Sequence, residues 1–162
     1  MLNSIDAKAT VIEIRIDLSE FRIHIVDNGN GMNGEDMQLM GTRYCTSKCN
    51  TLADLDSLSY YGFRGEAICS IQDMCLLEIV TRQRNSPTTF IKTMRQGKTL
   101  TNGPAPLMRP HVGTSITCSD LFFNLPVRRR TLATTMPFCL SEVRRHMEAI
   151  AMVLELIKPH VL

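Results

Sequence analysis

The clearest pattern in the first part of the chain is an alternation of apolar and polar residues in two neighbouring stretches. Isoleucine occupies every second position over residues 12–16, and Phe21, Ile23 and Ile25 alternate with polar residues after a short link. A period of two is typical of a strand with one buried face. Because the link is short, the pattern predicts an antiparallel hairpin.

Helical patterns occur in four places. Residues 1–7 resemble the last turns of a helix, and a short helix is predicted from about Asn33. Another helix follows residues 62–67. The last helix is the most regular, with apolar residues at helical spacing and Ser141 as its predicted N-cap.

Further strands are predicted near residues 76–82, 88–95 and 114–118, with a turn rich in proline and glycine at 102–106. Residues 41–61 have no sustained period, and loops of this length are usually functional or disordered. The fold class that follows is α/β, a two-layer sandwich of a mixed, mainly antiparallel sheet covered by helices on one face.

Charge divides the 162-residue chain into two unlike halves. Residues 1–81 contain 6 basic and 12 acidic groups, whereas residues 82–162 contain 12 basic and 4 acidic groups. The basic half is either a surface for a polyanion or an ordinary solvated surface. Composition alone leaves both interpretations open.

Several classes of protein are excluded by composition. No apolar run approaches the roughly 20 residues of a membrane span, so we expect a soluble protein with no membrane contact. The six cysteines are an even number without a C-x-x-C pair, which indicates reduced thiols rather than a disulfide framework. Cys45 and Cys49 match no familiar zinc spacing.

The run Asp27-Asn28-Gly29-Asn30-Gly31-Met32 follows directly on a predicted buried strand. Asn-Gly is a common turn signal, so a simple strand-ending turn explains the run. In the functional interpretation, the Asp27 carboxylate accepts a hydrogen bond from an exocyclic amine, and the two glycines leave room for a flat ligand. The run alone does not decide between them.

Two other segments have groups suited to a nucleotide. Asn3 and Asp6 lie three residues apart on a helix, and an Asn oxygen suits Mg²⁺, although an Asn near a helix end is often only solvated. Gly62 and Gly65 open a helix after a polar loop that contains Lys48, and free backbone N–H groups at such a helix start suit phosphate oxygens. Neither segment contains a Walker or Rossmann motif, and a solvated glycine-rich link is the alternative.

An apolar stretch at residues 121–125 leads into three consecutive arginines, Arg128, Arg129 and Arg130. Three arginines in a row are usually solvated. If they bind nucleic acid, they would contact the phosphate backbone without regard to sequence, and binding would depend strongly on salt.

Taken in order, these segments resemble the GHKL ATPase superfamily with its Bergerat ATP-binding fold, and within it the N-terminal domain of the MutL mismatch-repair family. The combination F-R-G-E-A at residues 63–67 with L-F-x-N-x-P-x-R-R at 121–129 is typical of MutL proteins. Residues 43–49, R-Y-C-T-S-K-C, most resemble the branch of the third eukaryotic MutL homologue.

The resemblance implies a role for each segment. Asn3 would coordinate Mg²⁺, Asp27 would bind the adenine amino group, and Arg128, Arg129 and Arg130 would face DNA. The residues assigned to ATP and Mg²⁺ are Asn3, Asp6, Ala7, Asp27, Gly29, Gly31, Met32, Thr46, Ser47, Lys48, Gly62, Phe63, Arg64, Gly65, Glu66, Ala67 and Thr114.

The resemblance also implies an ATPase that acts as a switch in DNA mismatch repair and meiotic recombination, in the nucleus, as a heterodimer with a second MutL-family subunit. In this family the general base is a Glu four residues before the Mg²⁺ ligand, a position upstream of Met1. We therefore expect residues 1–162 to be a partial ATP-binding domain without a catalytic residue and with almost no turnover, because losing a general base costs about 10²- to 10⁴-fold in rate.

Two alternatives remain at this point. The chain could be a non-catalytic DNA-binding or scaffolding module whose glycine motifs are relics. It could also fail to fold stably, because the apolar faces of the first two strands would lose part of their helical cover, at roughly 25 cal/mol per Å².

Overall fold

The computed structural model describes residues 1–42, 66–154 and 160–161. These residues form five helices and seven strands around one sheet. The helices are α1 (Leu2–Asp6), α2 (Gly34–Leu39), α3 (Glu66–Gln72), α4 (Pro126–Thr134) and α5 (Met136–Leu154). The strands are β1 (Ile12–Asp17), β2 (Arg22–Asp27), β3 (Leu76–Arg82), β4 (Thr89–Arg95), β5 (Lys98–Pro104), β6 (Gly113–Ser119) and β7 (His160–Val161).

The strands are ordered β5-β4-β3-β6-β2-β1-β7 across the sheet. Every neighbouring pair is antiparallel except β1 and β7, which run parallel. The prediction of a mixed, mainly antiparallel sheet is therefore confirmed. None of the helices in the described ranges has the length and apolar character needed to cross a bilayer.

One face of the sheet carries a continuous row of isoleucines. Ile14 pairs with Ile25, Ile25 with Ile116, and Ile116 with Ile79. Residues of α1, α2, α3 and α5 pack against this face in two apolar clusters. Met37, Ile68 and Ile71 pack over the centre of the sheet, whereas Met1, Ile5 and Met147 pack over β1. The two-layer arrangement with helices on one face is confirmed.

The predicted hairpin is formed by β1 and β2, with Ile14 opposite Ile25 and Ile16 opposite Ile23. Phe21 is the exception to the predicted alternation. It lies in the connecting turn with φ of 50°, before β2 begins at Arg22.

The strand β5 was not predicted, and the proposed turn at residues 102–106 is wrong for its first three positions. Residues 102–104 are the end of β5, which pairs with β4. The reversal occurs earlier, at Gln96 and Gly97, both with positive φ. Two left-handed residues in a two-residue loop match the right-handed twist of a hairpin.

The C-terminal helices differ from the prediction in two ways. Residues 126–134 form α4, a helix with Pro126 in its first turn and no buried residue, so no apolar stripe reveals it in the sequence. Ser141 does not cap α5, because that helix begins at Met136. The Ser141 hydroxyl instead donates to the carbonyl of Phe138 inside the helix, at 2.7 Å.

The helix α2 is held at both ends by side chains. Asn33 caps its start, where the Asn33 amide oxygen accepts from the backbone N–H of Asp36 at 2.7 Å. The Nζ of Lys92, a residue only 3% exposed, donates to the carbonyls of Met37, Gln38 and Met40 near its end. Burial lowers the pKa of Lys92.

Candidate functional site

Asp27, the last residue of β2, lies on the helix-covered face and is only 8% exposed. Its Oδ1 accepts backbone N–H groups from Gly29 at 3.0 Å and from Thr114 at 3.1 Å. Its Oδ2 has no hydrogen-bond partner among the described residues. One oxygen therefore fixes the carboxylate, and the other remains available as an acceptor.

A row of polar side chains extends from Asp27 along the helix-covered face of the sheet. Thr114 lies at the start of β6, beside Asp27, and its Oγ1 is 3.0 Å from the Oγ1 of the fully buried Thr81 in β3. The same Thr81 oxygen accepts the backbone N–H of Met32 at 3.0 Å. These bonds join the loop after β2 to the centre of the sheet.

Sequence reasoning identified Asp27 and Thr114 but missed Thr81. The signal is present, because Thr81 follows Leu77 and Ile79 at a period of two and is therefore the one polar residue on the buried face of β3.

The two glycines of the loop after β2 are packed against protein. A side chain at Gly29 would lie 2.9 Å from the Cβ of Ala7 in the turn after α1. Gly31 has φ of 70°, and a side chain there would collide with the carbonyl of Arg82. The structure therefore gives both glycines a packing reason, and their predicted contact with a base stays a prediction.

The turn after α1 is joined to the same loop. The backbone N–H of Asn30 donates to the carbonyl of Ala7 at 2.8 Å. Asn3 lies four residues before Ala7, one helical turn away on the same side of α1, and its side chain is exposed. Asp6 is half-buried on the same helix. Ala7 therefore contacts the Asp27 loop, and Asn3 lies one helical turn from that contact.

Arg109 is a further residue of the site that the sequence did not single out for it. Its guanidinium donates to the carbonyl of Asp27 at 2.9 Å and to that of His111 at 2.6 Å. Burial lowers the pKa of Arg109, and the charge of Asp27 acts in the opposite direction. Through these hydrogen bonds, Arg109 connects the segment between β5 and β6 to the end of β2.

Part of the predicted site lies outside the described residues. This holds for most of the predicted loop over residues 41–61, for Thr46, Ser47 and Lys48, and for Gly62, Phe63, Arg64 and Gly65. Glu66 is the first residue of α3 and Ala67, which is exposed, is the second.

The three predicted DNA-binding arginines lie in α4, at the far end of β6 from Asp27. We call this region, residues 120–130, the basic corner. Arg128 and Arg130 are exposed there, and Arg128 lies over the ring of Phe122 at 5.4 Å. Arg129 is half-buried and paired with Asp120. A strand of seven residues separates the two regions, about 20 Å at the usual rise per residue.

Comparison with known proteins assigns the fold to a family. Residues 1–110 match the family of histidine kinase-, DNA gyrase B- and HSP90-like ATPases. The chain belongs to this ATPase family. The matched residues include α1, the Asp27 loop, Thr81 and Arg109, so the site described above lies mainly in the part that this ATPase family shares.

Within this ATPase family, the relatives of the chain are MutL-type mismatch-repair proteins, which confirms the resemblance noted from the motifs. The chain is 39% identical to the human DNA mismatch repair protein Mlh3 over 152 residues, 93% of this chain and 10% of that protein. It is 35% identical to MLH3 of Arabidopsis thaliana, over 94% of this chain and 13% of that protein. It is 37% identical to MutL of Neisseria meningitidis, over 88% of this chain and 22% of that protein. The chain thus spans only a small part of these relatives.

Solved structures of this ATPase family have the same fold. The N-terminal domain of a DNA repair protein superposes with a TM-score of 0.77 at 28% identity, covering 98% of this chain and 44% of that one. The Aquifex aeolicus MutL ATPase domain complexed with ADP superposes with a TM-score of 0.67 at 24% identity, covering 99% of this chain and 55% of that one.

Proposed function

We propose that this chain is the ATP-binding core of a MutL-type ATPase, in which ATP binding and hydrolysis act as a conformational switch for DNA mismatch repair. The observation that carries the proposal is the Asp27 carboxylate, which is fixed through Oδ1 and open at Oδ2. A carboxylate oxygen without a protein partner can accept a hydrogen bond from a ligand, and the exocyclic amine of adenine supplies such a donor.

This geometry favours adenine over guanine. At the position of the adenine amine, guanine has a carbonyl oxygen, which is an acceptor. Two acceptors facing each other in a buried site would repel and leave both unsatisfied. Thr114 and Thr81 would extend the polar edge of the base site beyond Asp27.

The residues of α1 fit a magnesium ion bound with the nucleotide. Mg²⁺ is usually held by one or two protein oxygens together with phosphates and water. Asn3 offers an amide oxygen with no protein partner among the described residues, one helical turn before Ala7, whose carbonyl binds the Asp27 loop. We assign the metal contact to Asn3, with Asp6 and Ala7 completing that side of the site. When bound, the ion would neutralise charge on the triphosphate.

The phosphate contacts are assigned from the family motif. Thr46, Ser47 and Lys48, together with Gly62, Phe63, Arg64, Gly65, Glu66 and Ala67, would hold the triphosphate. Gly29, Gly31 and Met32 would lie beside the base. The support for this assignment is that α3, which begins directly after Gly65, packs its apolar residues against the same sheet face that bears Asp27.

The basic corner is the proposed surface for DNA. Arg128 and Arg130 are exposed there, and a phosphate backbone would neutralise them whatever its sequence. In the whole protein we assign the partner to a second MutL-family subunit, the compartment to the nucleus and the process to mismatch repair with meiotic recombination. The similarity to the human and Arabidopsis MLH3 proteins supports these assignments.

A titration with a fluorescent ATP analogue tests the nucleotide site. The 162-residue chain is titrated with and without Mg²⁺, and unlabelled ATP and GTP are then added as competitors. We expect Mg²⁺-dependent binding that ATP displaces and GTP does not. Saturable binding that GTP displaces equally would contradict the role of Asp27, and the absence of any binding would leave a DNA-binding or scaffolding module as the function.

A further inference from the structure

Left-handed backbone occurs both in the basic corner and in the β1–β2 turn beside it. Phe21, Asp120 and Phe122 have φ of 50°, 57° and 61°. Such conformations are costly for non-glycine residues and persist where the surrounding structure holds them. Here the carbonyl of Phe21 accepts from Leu121 at 3.0 Å, and the N–H of Phe122 donates to Met74 at 2.7 Å.

Two arginines, Arg95 at the end of β4 and Arg129 in α4, are both paired with Asp120. Arg129 donates to Oδ1 of Asp120 at 2.5 Å and lies over the ring of Phe21 at 4.1 Å. Arg95 donates to Oδ2 at 3.2 Å and lies over the ring of Phe123 at 3.9 Å. Each oxygen of Asp120 thus accepts from one arginine, and each arginine is stacked on a phenyl ring. This arrangement joins α4 to β4 and to the β1–β2 turn.

The neighbours of Arg129 are placed differently. The side chains of Arg128 and Arg130 are exposed, and neither has a carboxylate partner among the described residues. No acidic residue lies in the first turn of α4. The three consecutive arginines therefore differ in the structure: Arg129 is paired with a carboxylate, whereas Arg128 and Arg130 are exposed without one.

We propose that Arg129 is a positioning residue, which fixes α4 through Asp120 and Phe21, and that Arg128 and Arg130 alone contact DNA phosphates. This inference rests on the proposed DNA-binding function, and it assigns different roles to the three arginines of that surface. A cation already neutralised by a carboxylate adds little binding free energy when it meets a phosphate. An unpaired cation contributes the full Coulomb attraction and also releases the counterions of that phosphate.

Salt dependence separates the two roles. On duplex DNA, each phosphate neutralised contributes about 0.9 to the slope of log K against log salt. We expect R128Q and R130Q each to reduce this slope by about 0.9, with Tm unchanged. We expect R129Q to lower Tm and to raise Kd several-fold at every salt concentration, with the slope unchanged.

The test measures duplex-DNA affinity of the 162-residue chain at four or more salt concentrations, at a temperature at which every variant is folded. D120N tests the anchoring contact, because Asn tolerates left-handed backbone but removes the negative charge. If Asp120 holds Arg129, D120N and R129Q lower Tm by similar amounts, and the double variant loses less than the sum. R129K keeps the positive charge, and we expect it to recover part of the DNA affinity. It replaces R129Q in the comparison if R129Q fails to fold.

Each other outcome overturns a named part of the proposal. A reduced slope with unchanged Tm in R129Q would make Arg129 a direct phosphate contact. A reduced Tm with wild-type Kd would make it structural only, without a positioning role. A wild-type chain that binds no duplex at low salt would overturn the DNA function itself, while additive Tm losses of D120N and R129Q would overturn the anchoring independently of DNA.

Discussion

Asp27 and Thr114 are 87 residues apart in the chain and meet through a 3.1 Å hydrogen bond from the backbone N–H of Thr114 to Oδ1 of Asp27. The bond joins the end of β2 to the start of β6 on the helix-covered face of the sheet. Because the donor is backbone, it fixes the carboxylate without a counter-charge. The second oxygen of Asp27 has no hydrogen-bond partner among the described residues.

The hydroxyl row beside Asp27 gives the first prediction. T114V removes the contact between the Thr114 and Thr81 hydroxyls but keeps the backbone donor to Asp27. The Thr114 hydroxyl is also proposed to lie at the edge of the base site, so we expect ATP affinity to fall about 2- to 12-fold, the value of one net hydrogen bond of about 0.5–1.5 kcal/mol. Titration calorimetry measures the change. T117V is the matched control, because Thr117 lies on the same strand but faces the opposite side of the sheet. Equal losses of ATP affinity in T114V and T117V would show that the base does not bind beside Thr114.

Gly31 gives a prediction about stability. G31A forces a side chain into left-handed backbone and against the carbonyl of Arg82. Gly97 has nearly the same φ, 72° against 70°, but no atom within 4 Å of an added side chain. We expect G97A to cost about 1–2 kcal/mol and G31A about 1–3 kcal/mol more. Urea unfolding of both variants measures the difference, and equal losses would show that the loop is not packed as described.

Lys92 is predicted to stabilise α2 from the sheet. K92M removes the donor shared by the carbonyls of Met37, Gln38 and Met40. We expect a loss of about 1–3 kcal/mol in unfolding free energy, the cost of leaving buried acceptors unsatisfied. K98M, at an exposed position of β5, serves as control and should remain within about 0.5 kcal/mol of wild type. A stable K92M would mean that α2 does not depend on this contact.

His24 gives a prediction about pH. It lies on the face of the sheet away from the helices, with Nδ1 2.9 Å from the Thr117 hydroxyl. Burial, then Arg22 and Arg15, lowers its pKa below 6.5. The unfolded chain therefore binds this proton at higher pH than the folded chain, and stability falls as pH decreases from 6.5 through the folded pKa. NMR titration should give a pKa below 6.5, and H24Q should remove this part of the pH dependence, whereas a pKa at or above 6.5 would refute the prediction.

The sequence predicts the elements whose own residues carry a period. The isoleucines of β1 and β2 define a hairpin and its buried face, and from this the position of Asp27 at a strand end follows. The sequence does not predict an element that forms only because of its neighbours in the sheet. The strand β5 has exposed side chains along almost its whole length and exists because β4 offers it an edge and Gln96-Gly97 allows the reversal.

The same distinction applies to the candidate sites. The chemistry of Asp27 and Thr114 could be proposed from their motifs, but their hydrogen bond depends on the register of β2 and β6. The difference between Arg129 and its two neighbours could not be proposed, because it is created by Asp120 and by Phe21, which is far away in the chain. Local patterns cannot reveal contacts that only the folded sheet brings together.

Calorimetric titration of Mg²⁺-ATP into wild-type, D27N and E20Q chains shows whether Asp27 recognises the adenine of ATP. D27N can keep an acceptor for Gly29 and Thr114 but presents an amide donor to the adenine amine, so we expect loss of measurable binding with little change in Tm. E20Q changes an exposed carboxylate in the β1–β2 turn and should bind as wild type. Wild-type affinity for Mg²⁺-ATP in a folded D27N would show that Asp27 does not recognise the adenine.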